Sequence, residues 1–77
     1  MQTRDTIFIT GASGYIGGSV AQKLVKIGHR VRGLVRSKDN ADLLSKLGIE
    51  PVIGDLNDAD LLIREAKQAD GVINAAS

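Results

Sequence analysis

Apolar residues along this chain fall alternately into short continuous runs and spaced stripes. Thr6-Ile7-Phe8-Ile9-Thr10 is short, apolar and β-branched, which predicts a buried strand. From about Tyr15, the residues Ile16, Val20, Leu24 and Ile27 recur at helical spacing, with Gln22, Lys23 and Lys26 off that face. Gly28 fits the left-handed position that ends such a helix. Arg30-Val31-Arg32-Gly33-Leu34-Val35 predicts a second strand, after which Ser37 or Asp39 can cap a second helix. Leu43, Leu44 and Leu47 give that helix its apolar stripe, and Gly48 stops it. Glu50-Pro51-Val52-Ile53-Gly54 predicts a third strand, where Pro51 is tolerable because it lies near the start. Asn57 or Asp58 caps a third helix carrying Leu61, Leu62 and Ala66, and Gly71-Val72-Ile73-Asn74-Ala75-Ala76 predicts a fourth strand.

The predicted order is β-α-β-α-β-α-β. Helical crossovers of this length require parallel strands joined by right-handed connections. The fold class is therefore α/β, with a parallel sheet in the order 3-2-1-4 and helices on both faces. The switch point of such a sheet lies between strands 1 and 4, at the carboxyl end of strand 1, and ligands bind at such points.

Composition narrows the function. The 77 residues suffice for one domain, and 43% hydrophobic with 25% charged residues is ordinary for a soluble globular protein. A net charge of +1 offers no electrostatic case for nucleic acid or an anionic membrane. No apolar run approaches the ~18 residues of a membrane span, and Met1-Gln2-Thr3-Arg4-Asp5 has no signal-peptide core. The expected location is cytoplasmic. Without cysteine there are no disulfides and no thiolate metal sites. His29 has no partner ligands at metal spacing and reads as a surface residue closing the first helix. Arg64, Glu65 and Lys67 read as a solvated helix face, and Arg32 as a strand or edge residue.

The stretch between the first strand and first helix carries the chemistry. Thr10-Gly11-Ala12-Ser13-Gly14-Tyr15-Ile16-Gly17 follows a buried strand and opens an amphipathic helix. Gly11 can take a tight turn where a side chain would clash, and Gly14 lets backbone approach a phosphate. Gly17 allows close helix–sheet packing. The N–H groups of Tyr15 and Ile16 are first-turn donors facing an anion, and the Ser13 hydroxyl is a further donor. A plain tight turn is the alternative reading of these glycines. A Walker A loop is excluded, since no Gly-Lys-Ser/Thr follows.

This motif resembles the short-chain dehydrogenase/reductase superfamily, in particular its extended and atypical branches. These include NAD-dependent epimerase/dehydratases, dihydroflavonol-reductase-like enzymes and NmrA-like proteins. The resemblance runs over nearly the whole chain and implies a Rossmann-type three-layer half that binds a dinucleotide. At the end of strand 2, where an NAD-preferring fold commonly has an acidic residue, stands Leu34-Val35-Arg36-Ser37-Lys38. A guanidinium at Arg36 can grip a 2′-phosphate bidentately and stack on adenine, with Ser37 and Lys38 adding contacts; a solvated basic loop is the competing reading. NADP(H) is favoured, with NAD(H) the alternative. The resemblance further implies that Asp55 accepts from the adenine amino group, that Leu56 lines the adenine pocket, and that Ala75 and Ala76 let the strand 4 backbone approach the ribose. A local cap or turn role for Asp55, and tight strand–helix packing for the small residues, are the competing readings.

Superfamily catalysis uses a Tyr-x-x-x-Lys pair. Tyr15 is the chain's one tyrosine and is followed four residues later by Ser19, so no catalytic residue is assigned. The resemblance places the catalytic pair and the substrate pocket beyond Ser77. Residues 1–77 are expected to be the N-terminal NAD(P)-binding portion of an oxidoreductase or epimerase/dehydratase, inactive alone and prone to self-association along the strand 4 edge. A non-catalytic NADP(H) sensor and a fragment without independent function are the other readings.

Overall fold

The computed structural model describes residues 5–11 and 15–75. Four strands, β1 (Thr6–Thr10), β2 (Arg30–Val35), β3 (Glu50–Ile53) and β4 (Gly71–Asn74), alternate with three helices, α1 (Tyr15–Ile27), α2 (Lys38–Lys46) and α3 (Ala59–Gln68). The strands are all parallel and ordered β3-β2-β1-β4. Thr10 pairs with Leu34 and Asn74, and Val35 with Ile53, so the carboxyl ends of all four strands share one edge. The predicted third and fourth strands run slightly long: β3 stops before Gly54 and β4 before Ala75.

Each strand sends alternate residues to opposite faces. Ile9, Val31 and Val35 join Ala21 of α1 and Ala41 and Leu44 of α2, with Ile49, in one buried cluster. Phe8, Leu34 and Val52 join Leu61 of α3 in another on the opposite face. This confirms helices on both sides of the sheet.

The helix ends follow local chemistry. The Ser37 hydroxyl caps α2 by accepting from the Asn40 N–H, and Asp58 caps α3 by accepting from the Leu61 N–H. Gly28 and Gly48 adopt φ of +111° and +81°. Around each the amides close a Schellman pair, Gly28 to Val25 and His29 to Leu24, then Gly48 to Ser45 and Ile49 to Leu44.

Three predicted stripes need correction. Ile27, the last residue of α1, is 72% exposed; Val20 and Leu24 pack inward as expected, and Ala21 and Val25 complete that face in place of Ile27. Leu43 and Leu47 are exposed, because α2 turns Ala41 and Leu44 inward and Leu47 falls past its last turn. Glu65 is not solvated. It is 5% exposed, one turn beyond Leu61 on the buried stripe of α3.

The partner of Glu65 explains its burial. Arg32 lies on the same face of β2 as Leu34 and reaches α3, donating Nε to Glu65 Oε1 at 2.8 Å and Nη2 to Oε2 at 3.3 Å. Its Nη1 donates to Glu50 at 3.0 Å, and Glu50 also accepts two bonds from Arg30. The Arg30 hydrogen bonds hold the Glu50 carboxyl below its ordinary value. The Arg32 guanidinium is pushed up, chiefly by its hydrogen bond to Glu65. Arg32 is therefore a structural residue of an inner strand. Among the described residues, no helix is long and apolar enough to cross a membrane.

Candidate functional site

The common edge at the strand carboxyl ends is where the predicted site residues gather. β1 ends at Thr10, and Gly11 follows with φ +83°, a left-handed conformation that a side chain would strain. Helix α1 begins at Tyr15, so the first-turn N–H groups of Tyr15, Ile16 and Gly17 lie near the end of β1 without intrahelical acceptors. Ser13 and Gly14, the centre of the predicted phosphate loop, lie outside the described residues, as does Ala76. Across the switch point, the Thr10 hydroxyl donates to Asn74 Oδ1 at 2.6 Å and the Ala75 N–H donates to the Thr10 carbonyl. These bonds tie the ends of β1 and β4 together beside the loop.

On the other side of β1, Arg36 leaves β2 with its side chain 81% exposed. Ser37 spends its hydroxyl on the α2 cap, which leaves its N–H and a spare hydroxyl donor for a ligand. Asp55 follows β3, and the Gly54 N–H donates to the Val35 carbonyl, which fixes the two loops side by side. Asp55 Oδ1 accepts from the Asn57 N–H at 2.9 Å, the turn role weighed from sequence, while Oδ2 lies 3.9 Å from Arg36 Nη2. Leu56 is 51% exposed and lines a groove of about 220 Å³ with Phe8, Thr10, Leu62, Ala66, Val72 and Asn74. The structure thus brings Gly11, the start of α1, Arg36, Ser37, Asp55, Leu56 and Ala75 to one edge of the sheet.

This geometry suits an extended anion with an aromatic end. It offers a helix N-terminus, a largely exposed guanidinium and a half-exposed carboxylate beside it, along one line of strand ends. Among the described residues, no group of three or more His, Cys, Asp or Glu could hold a metal ion. His29 instead accepts from the Asp5 N–H through Nδ1, at the opposite edge of the sheet.

Residues 3–77 match the model of the NmrA-like family. The chain belongs to the NmrA-like family. An uncharacterized protein of Schizosaccharomyces pombe is 49% identical to it over 70 residues, which cover 91% of this chain and 24% of that protein. The crystal structure of an isoflavone reductase superimposes with a TM-score of 0.81 at 32% identity, covering 97% of this chain and 28% of that one. The structure of AtPrR2 with NADP+ and (+)pinoresinol superimposes with a TM-score of 0.80 at 27% identity, covering 100% of this chain and 27% of that one. This NmrA-like chain therefore spans about a quarter, or less, of the length of the curated relatives it matches. Its Rossmann-type α/β fold is that of reductases.

The sequence reading missed the Thr10–Asn74 bond and the apolar groove. Both depend on β4 lying beside β1, 64 residues away in the chain. Threonine and asparagine at matching strand ends were the available signal.

Proposed function

We propose that this chain is the dinucleotide-binding portion of an NmrA-like reductase, and that it takes NADP(H) in preference to NAD(H). The observation that carries this reading is the exposed Arg36 at the end of β2, in line with the positive-φ turn at Gly11 and the start of α1. The residues present fit such a cofactor. The loop from Gly11 through Ser13 and Gly14 to Gly17, with the amides of Tyr15 and Ile16, would hold the pyrophosphate. Arg36 and Ser37 would hold the 2′-phosphate, Asp55 and Leu56 the adenine, and Ala75 and Ala76 the ribose side. The bound cofactor would supply hydride chemistry. The chain's own part is binding and orientation, since its one tyrosine lies in the glycine loop without a lysine four residues on. In this reading, the catalytic pair and the substrate pocket belong to the part of the longer relatives that residues 1–77 do not span. The outer edge of β4 would then pair with further strands, and in the separate chain it would favour self-association.

Titration with NADPH and NADH tests the reading. A charge-assisted contact is worth about 1.5–3 kcal/mol, so Arg36→Ala should weaken NADPH by roughly ten- to a hundredfold and leave NADH nearly unchanged. Equal loss for both cofactors, or no loss, removes that role from Arg36.

A further inference from the structure

Arg36 and Asp55 are 19 residues apart in the chain, yet the pairing of Val35 with Ile53 sets their loops side by side. The two oxygens of Asp55 have different neighbours. Oδ1 is held by the Asn57 amide, which fixes the carboxylate plane, and Oδ2 is left pointing towards Arg36 Nη2 at 3.9 Å. Arg36 is the mobile partner by virtue of its long, largely exposed side chain, whereas Asp55 is anchored to the turn. Among the described residues, Asp55 is the acid within ion-pair distance of that guanidinium.

We propose that Asp55 sets the preference between NADP(H) and NAD(H) by competing with the 2′-phosphate for the Arg36 guanidinium. The proposal rests on the dinucleotide reading above. A phosphate arriving at Arg36 must draw the guanidinium away from the carboxylate, and it meets the carboxylate's own negative charge at close range. A cofactor without that phosphate faces neither cost. Any contact between Asp55 and adenine is common to both cofactors and cancels in the ratio of their affinities. The ratio therefore carries only the effects of Asp55 on the phosphate, and the Arg36→Ala background separates the competition from direct repulsion. Asp55 acts through Arg36, as a specificity-positioning residue that moderates the response of the site to the phosphate.

The experiment is a calorimetric titration of the purified protein with NADPH and with NADH, for the unsubstituted protein, Asp55→Asn, Arg36→Ala and the double variant. Asn at position 55 keeps an acceptor for the Asn57 amide, so the turn is retained. Asp55→Ser, which also keeps an acceptor, is the second variant should Asn disturb the fold. Exposed ion pairs of this kind carry small energies, so the NADPH:NADH affinity ratio should rise about two- to fivefold in Asp55→Asn. In the Arg36→Ala background the same substitution should raise the ratio by less, because only the direct repulsion between carboxylate and phosphate is then relieved. An unchanged or falling ratio in Asp55→Asn and Asp55→Ser overturns the proposal, as does an equal rise in the Arg36→Ala background. Failure of the unsubstituted protein to bind either cofactor overturns the dinucleotide reading and this proposal with it. Normal binding with an unmoved ratio overturns the role of Asp55 alone.

Discussion

Glu65→Gln should destabilise the protein far more than a surface substitution. The carboxylate is 6% exposed at the side chain and accepts two bonds from an Arg32 that is 25% exposed. Gln keeps the volume and one acceptor, but it removes the charge and turns an N–H₂ donor towards a guanidinium N–H. Breaking a fully buried pair costs about 3–5 kcal/mol. Here Arg32 keeps its bond to Glu50 and some access to water, so the expected loss is reduced to about 1.5–3 kcal/mol. A chain of this length has a total stability on the order of 4–12 kcal/mol. The melting temperature should therefore fall by roughly 6–20 °C. Far-UV circular dichroism under heat and urea is the assay, because there is no tryptophan to follow. Arg32→Met with Glu65→Leu replaces both charges with apolar groups of similar bulk and should recover most of the loss. A loss below about 0.5 kcal/mol for Glu65→Gln would refute the reasoning, since that is the range of ordinary surface changes. So would a double variant no more stable than the single one.

Three further outcomes are expected. Gly54→Ala should shift the Leu61 side chain and destabilise modestly, because the new Cβ would stand 2.8 Å from Leu61 Cδ1; an unchanged urea midpoint would contradict this. Ser37→Ala should cost about 1 kcal/mol through loss of the α2 cap, and a larger drop in NADPH affinity than in NADH affinity would show a ligand role beyond the cap. Acid should also destabilise the fold through Glu50. Its folded carboxyl is held below the ordinary 4.5 by Arg30, so its stabilising contribution is present above that value and lost as pH falls through the lower folded value. Urea midpoints should drop below about pH 4.5, and Glu50→Gln should flatten that drop.

The element order was legible because its signals are local. β-branched runs, Ser37 and Asp58 as caps, and Gly28 and Gly48 as stops each act within a few residues of where they stand. Parallel pairing then followed from the crossover lengths, and with it the gathering of candidate site residues at one edge. What stayed hidden depends on partners distant in sequence. Glu65 looks like any charged helical residue until Arg32, 33 positions earlier, is found beneath it. One signal was available in each: Glu65 sits one turn from Leu61, and Arg32 alternates with the inward Leu34. Leu43 and Leu47 misled because α2 turns its neighbouring Leu44 inward with Ala41, which points Leu43 outward, and because the helix ends before Leu47. The Arg36–Asp55 juxtaposition needed the β2–β3 register, which the alternation of elements does not specify.

The two ends of the sheet are held in different ways. At the amino ends, Asp70 accepts from the Thr6 amide, His29 from the Asp5 amide, and Arg30 and Arg32 are bound to Glu50 and Glu65. At the carboxyl ends, Arg36, Asp55 and Leu56 stand half-exposed or more on short loops. In the proposed reading, strength and recognition thus fall on opposite rims. A library randomised at positions 36, 37, 55 and 56 should yield mostly folded members with altered ligand choice. The same library at 30, 32, 50 and 65 should yield mostly insoluble protein. A breeder of new cofactor preferences could work on the upper rim with little regard for the lower one.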